Sequence, residues 1–177
     1  MTNQLTKDDL LALLVDLTGI DDNRAEEIGR DFYKKELLTS DCVGLHDLHD
    51  GEKVLVHISR FDHAFFTTPR VYGQAERKIV LDRPRIARVR WIKLLISGQL
   101  DNSACWEVAA RSGRPAFPNR LYVLYEPAYV VWLEPRGQDD SAVCWKFSSG
   151  YPANPKYLRD KTKGGTCIWK SAKKSVP

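Results

Sequence analysis

From Gly98 to the C-terminus the chain reads as a succession of short apolar runs, each closed by turn chemistry, and this pattern constrains the fold more than any other feature. The runs are 104–109, 120–125, 129–134, 142–147 and 166–170. Ser112-Gly113-Arg114-Pro115, Glu126-Pro127 and Arg136-Gly137-Gln138-Asp139-Asp140 separate them. Short strands joined by short loops predict an antiparallel meander. A short helix is expected to start near Asn154-Pro155 and to end by Gly164.

The first part of the chain has the period of helices instead. Thr6 followed by Asp8 and Asp9 predicts an N-cap with acids in the first turn, and Leu10, Leu11, Leu13, Leu14 and Leu17 make a broad apolar face. Gly19 stops that helix, and Asp21 or Asp22 starts a second with Ala25, Ile28, Phe32 and Leu37 or Leu38 on one stripe. Residues 40–51 are polar and read as a linker carrying His46 and His49. Residues 53–58 (KVLVHI) alternate as a strand, and 60–67 read as a short aromatic helix. A polar loop follows over 68–82. From Pro84 a helix is expected to run to Gly98, with Ile86, Val89, Ile92 and Ile96 inward and Arg90, Lys93 and Ser97 on a basic outer stripe. Helices first and an antiparallel sheet afterwards make the expected class α+β.

A chain of 177 residues is long enough to bury a core without disulfide or metal support. No apolar run reaches the length needed to span a bilayer, and the N-terminus lacks a basic-then-apolar signal pattern, so a cytoplasmic protein without membrane contact is expected. The four cysteines, Cys42, Cys105, Cys144 and Cys167, have neither CxxC nor zinc-ligand spacing and read as small hydrophobes in a reducing compartment.

The net charge of +4 conceals a split. Residues 1–52 hold 5 Lys and Arg against 13 Asp and Glu, a balance of −8; residues 53–177 hold 22 against 10, a balance of +12. We therefore expect an acidic helical N-terminal segment (1–52) and a basic α+β domain (53–177). A basic body suits a polyanionic partner, because phosphate backbones attract cations without any sequence motif.

No P-loop, GxSxG, HExxH or pre-helical GxGxxG is present, and the carboxylates of the basic body are scattered without a DxD pair. The inventory suits RNA cleavage without metal: a base removes the ribose 2′-hydroxyl proton, a cation steadies the phosphorane and an acid protonates the 5′-oxygen. His63, in Arg60-Phe61-Asp62-His63-Ala64-Phe65, is the leading base or acid, because Phe61 and Phe65 anchor the helix and leave Arg60 and His63 on another side. His57 sits on a strand and is the weaker candidate. Ser148-Ser149-Gly150-Tyr151 is expected at a strand end, offering hydroxyls and amides to a phosphate. Arg70, Arg85, Arg88 and Arg90 are candidate phosphate clamps, with Lys93 and Lys146 as further RNA-binding cations.

Four stretches, VHISRFDHAFF (56–66), RIARVRWIKLLISGQ (85–99), YVVWLEP (129–135) and CWKFSSGYPANPKYLR (144–159), resemble the phage-associated nucleases of the barnase–EndoU–colicin–RelE (BECR) superfamily, in particular the prophage and mobile-element branch known as PBECR domains. The similarity spans residues 53–170. It implies a small helical start on a four-stranded antiparallel sheet and a metal-independent endoribonuclease, often a toxin, with no cofactor. It further implies RNA, tRNA among the options, as substrate, and an antitoxin or immunity protein as partner. The family's early histidine would match His63, its basic residues Arg60 or Arg70 and Arg88 or Arg90, and its late hydroxyl strand Ser148 and Ser149 with Tyr151 adjacent. The chain has no second histidine late in the domain, so Lys146 or Tyr151 would have to supply the acid. Outside the resemblance, the acidic segment would act as a docking or self-restraining cover over the basic groove. Two readings compete with catalysis: a non-catalytic nucleic-acid-binding module, and a protein-interaction domain of a mobile element.

Overall fold

The computed structural model of the chain describes residues 5–68, 80–109, 118–136 and 143–171. Arg70 and most of the 68–82 loop lie outside the described residues.

Local signals account for where the two leading helices start, but the first ends at Ala12, well short of the expected stop at Gly19. Helix α1 (Lys7–Ala12) opens on a capping box: the Thr6 amide donates to Asp9 Oδ2 at 2.8 Å and the Asp9 amide returns to the Thr6 hydroxyl at 3.4 Å. Helix α2 (Asp22–Leu37) is capped by Asp21, whose carboxylate accepts from the Arg24 amide at 2.8 Å. Its buried residues are Ala25, Gly29, Tyr33 and Leu37, while Ile28 and Phe32 are only half-buried, so the helix is rolled from the expected stripe. Tyr33 enters the core because its hydroxyl donates to the His57 carbonyl at 2.9 Å.

The stretch read as a linker contains a strand. Strand β1 (Val43–Asp47) pairs antiparallel with β2 (Lys53–His57). Its inward positions are Gly44 and His46 and its exposed ones include Leu45, the reverse of an apolar alternation. Helix α3 (Arg60–Phe65) follows β2, and β3 (Phe66–Thr67) pairs with β4 (Val80–Leu81).

The expected helix from Pro84 to Gly98 is broken in two, α4 (Arg83–Ile86) and α5 (Trp91–Ile96). The break has a specific cause. The Ala87 carbonyl, which the Trp91 amide would use in a continuous helix, accepts from the Val15 amide at 2.9 Å, and the Trp91 amide turns to the Arg88 carbonyl instead. The Trp91 indole then donates to the Leu10 carbonyl at 3.0 Å, which ties α1 to this corner.

The meander forms as expected: β5 (Ser103–Val108), β6 (Asn119–Leu124), β7 (Tyr129–Pro135) and β8 (Val143–Pro152) pair antiparallel in sequence, and β9 (Thr166–Lys170) adds to the far side of β5. The full sheet has seven strands in the order β1-β2-β8-β7-β6-β5-β9, and it is not purely antiparallel, because β2 pairs parallel with β8. The class is α+β, with the N-terminal helices preceding the sheet.

One face of the sheet, through Tyr122, Tyr129, Val131, Leu133 and Phe147, packs on Leu10, Tyr33, Phe61, Phe65, Trp91 and Ile92. The acidic helices and the basic body thus meet in one apolar core. Opposite lies a smaller cluster of Val108, Leu121, Val123 and Val130, closed by Leu158 of α6 (Pro155–Thr162). Among the described residues, no helix is long and apolar enough to cross a membrane.

Candidate functional site

Strand β2 stays beside β8 only as far as Leu55 opposite Lys146. The chain then turns into α3, which packs against β8. This seam between a short helix and a strand holds most of the candidate residues.

Helix α3 is anchored by Phe61, Ala64 and Phe65, all buried; Tyr33 meets the Phe61 ring edge-on at 5.5 Å. Arg60 and His63 are left on its wetter side, one turn apart, and His63 is exposed. Across the seam β8 carries a bulge: Phe147 lies opposite Leu133 and Ser149 opposite Trp132, so Ser148 has no residue opposite it on β7. Ser148 is buried, and its hydroxyl donates to Glu134 Oε1 at 2.8 Å. Glu134 Oε2 lies 3.5 Å from Arg60 Nη2. Arg60, Glu134 and Ser148 therefore form one hydrogen-bonded chain, and Lys146 is the direct cross-strand neighbour of Glu134.

The serines are not at a strand exit, as expected, but inside a strand that continues to Pro152. Gly150 is buried as well. A Cβ there would lie 2.8 Å from the Tyr129 hydroxyl and 3.3 Å from Ile92, so the glycine serves packing and its backbone is not offered to a ligand.

The other end of the seam is aromatic. The Arg85 guanidinium lies 4.7 Å from the centre of the Tyr151 ring, donates to the Ala64 carbonyl of α3 at 2.8 Å and pairs with Asp82 at 2.9 Å. The Tyr151 hydroxyl accepts from the Trp132 indole at 2.8 Å and shares a hydrogen with the Tyr157 hydroxyl at 2.6 Å. Burial first, then the Tyr157 bond, push the Tyr151 pKa well above the usual phenol range. The Tyr151 hydroxyl is thus held in place by the Trp132 indole and the Tyr157 hydroxyl.

The remaining cations stand elsewhere. Arg90 pairs with Glu36 at 3.4 Å and lies over Phe32, so it faces α2 and not a basic outer stripe. Arg88 stacks 5.2 Å from the Trp91 ring and donates to the Pro84 carbonyl. Lys93 is exposed on α5 in the neighbourhood of His46. The acidic segment itself engages several cations of the body: Asp22 pairs with Arg83 at 3.0 Å, and Asp50 and Glu52 with Arg120 at 2.8 and 2.9 Å.

His57 is exposed, and its Nδ1 accepts from the Ser59 amide at 3.1 Å, which sets the neutral ring in the Nε2–H tautomer. His46 and His49 are both engaged: His46 Nε2 donates to the Leu37 carbonyl at 2.8 Å, and His49 Nδ1 lies 2.7 Å from the Tyr122 hydroxyl. Cys105 is buried, and burial pushes its thiol up to about 12, whereas Cys42 is exposed.

Of the residues proposed for catalysis, the fold joins Arg60 to Ser148 and carries His63 on the same helix as Arg60. Tyr151 belongs to a separate aromatic knot. Sequence reasoning missed Glu134. Its one signal is a carboxylate directly before Pro135 at the end of an otherwise apolar strand. No family model, curated protein or solved structure matches the chain.

Proposed function

We propose that the chain is a metal-independent endoribonuclease, toxin-like, acting on RNA in the cytoplasm. His63 accepts the proton of a ribose 2′-hydroxyl as its oxygen attacks phosphorus. Arg60 and Ser148 hold the phosphoryl oxygens. The phosphorus–5′-oxygen bond breaks, and Lys146 protonates the departing 5′-oxygen, because the Tyr151 hydroxyl is engaged by Trp132 and Tyr157. The products are a 2′,3′-cyclic phosphate end and a 5′-hydroxyl end. A protein of this kind would be held in check by an antitoxin or immunity protein.

One observation carries the reading: a guanidinium (Arg60) and a strand hydroxyl (Ser148) converge on the same carboxylate, with a lysine across the strand and an exposed imidazole one helical turn away. Incubating the purified chain with total RNA in EDTA tests it. Fragments ending in 2′,3′-cyclic phosphate are expected, and His63→Ala should slow their formation at least about 100-fold. RNA left intact by the wild-type chain would overturn it.

A second reading, a nucleic-acid-binding module without chemistry, is favoured by the engagement of Tyr151, which leaves the seam without a phenolic acid. It expects RNA affinity to be unchanged by His63→Ala and no cleavage by either protein.

A further inference from the structure

The geometry points to an oxyanion seat made of Arg60 Nη2 and Ser148 Oγ that the chain's own Glu134 carboxylate occupies in the free protein, and from which a phosphate group displaces it. The inference deepens the ribonuclease reading and shares its site.

A carboxylate and a phosphate present the same partners to a protein: negatively charged oxygens that accept from a guanidinium and a hydroxyl. Glu134 uses both of its oxygens in this way, Oε1 on Ser148 at 2.8 Å and Oε2 on Arg60 at 3.5 Å. The two contacts differ in quality. The Ser148 bond is short and its donor is buried, held by the bulge of β8, so that half of the seat is preorganised. The Arg60 contact is long and, among the described residues, the single ion pair of that guanidinium, so the planar fork that suits a bidentate anion is engaged at one nitrogen.

Displacement also costs little. The Arg60 and Glu134 side chains are 33% and 45% exposed, so a displaced carboxylate returns to water without burying a charge. Lys146, opposite Glu134 in the strand register, adds a second cation beside the seat. A neutral or apolar residue at 134 would leave the seat open to any anion. Glutamate makes entry competitive, so that a polyphosphate chain with several contacts succeeds where a lone small anion binds weakly.

The test uses the full chain and inorganic phosphate as the probe, titrated at fixed ionic strength and followed by NMR shifts of the β8 amides. Glu134→Gln keeps the shape and removes the charge. It should bind phosphate about three- to tenfold more tightly than wild type, and the gain should shrink as KCl is raised. Adding Arg60→Ala to Glu134→Gln should abolish the gain. Should Glu134→Gln fold poorly, Glu134→Asp withdraws the carboxylate by one methylene and should give a smaller gain in the same direction. Unchanged or weaker phosphate binding in a natively folded variant, or a gain that survives Arg60→Ala, would overturn the seat. RNA cleavage is assayed separately. Tighter phosphate binding without cleavage by any variant upholds the seat and overturns the ribonuclease. Cleavage by wild type with no change in phosphate affinity on Glu134→Gln does the reverse.

Discussion

The guanidinium of Arg120 lies 4.4 Å from the centre of the Trp145 ring, and both side chains reach the same carboxylate: Arg120 pairs with Glu52 at 2.9 Å and the Trp145 indole donates to it at 2.6 Å. Asp50 completes the cluster, so the turn between β1 and β2 is clamped to the centre of the sheet by one buried cation. The clamp explains where part of the chain's charge asymmetry goes. Acids of the N-terminal segment neutralise cations of the body inside one fold.

The clamp is asymmetric, and the asymmetry is testable. Arg120 has only 7% of its side chain exposed, against 30% for Asp50 and 40% for Glu52. Arg120→Met leaves two carboxylates that can rehydrate, and should cost about 1–3 kcal/mol. Neutralising both acids with Asp50→Asn and Glu52→Gln strands a buried cation, and should cost more, about 3–5 kcal/mol. Urea unfolding of the two variants measures the order, which a simple count of lost ion pairs would not predict.

What could be read from the chain was what is local. The capping box of α1, the acidic cap of α2 and the Glu126-Pro127 turn of the meander act within a few positions, and both helices start where those signals place them, although α1 ends at Ala12 and not at Gly19. Strand β1 was illegible because its buried positions are filled by Gly44, where backbone passes close, and by His46, which serves the end of α2. The break between α4 and α5 was illegible because it depends on the Val15 amide, far away in sequence, taking the Ala87 carbonyl. The parallel pairing of β2 with β8 has no local signature either. At the candidate site, Arg60, His63 and Ser148 were legible as residue types. Glu134 was not, since a glutamate near a strand end reads as a solvated charge until the bulge brings Ser148 to it.

Acid should weaken the fold before ordinary carboxylates titrate. Burial, ahead of the neighbouring Lys93, holds the His46 pKa below the usual histidine value, against the Leu37 carbonyl and Asp47; burial, with Arg120, does the same to His49 against Asp50 and Glu52. Both imidazoles therefore bind fewer protons folded than unfolded. Their contribution to stability is complete above about pH 6.5 and is lost as pH falls through the lower folded values. The urea midpoint should be flat from about pH 8 to 7 and fall as the pH drops below about 6.5. His49→Gln should make that fall shallower, whereas a midpoint that climbs on acidification would contradict the assignment.

Two glycines that contact other elements should respond very unequally to alanine. A Cβ on Gly44 would sit 1.8 Å from the Leu37 carbonyl oxygen, a backbone atom at the end of α2, so Gly44→Ala must push the helix off the strand. We expect a loss of more than about 3 kcal/mol, or failure to fold. A Cβ on Gly29 would lie 3.0 Å from Cδ1 and Cγ2 of the buried Ile86 side chain, which must give by a few tenths of an ångström, and alanine is worth about 1 kcal/mol over glycine within a helix, so the two effects oppose each other. Gly29→Ala should stay within about 1 kcal/mol of wild type in thermal unfolding.

The adjacent serines should separate cleanly in function. Ser148 is buried in the bulge with its hydroxyl on Glu134, beside Arg60, whereas Ser149 pairs in register with Trp132 and makes no contact with that chain of residues among those described. If the seam binds and cleaves RNA, Ser148→Ala removes a hydrogen bond to a charged oxygen and should lower kcat/KM about tenfold or more. Ser149→Ala should stay within about twofold. Equal effects would place the reacting phosphate elsewhere on β8. A larger effect at Ser149 would move it toward Trp132 and the aromatic knot of Tyr151 and Tyr157, where Arg85, not Arg60, would be the cation in reach.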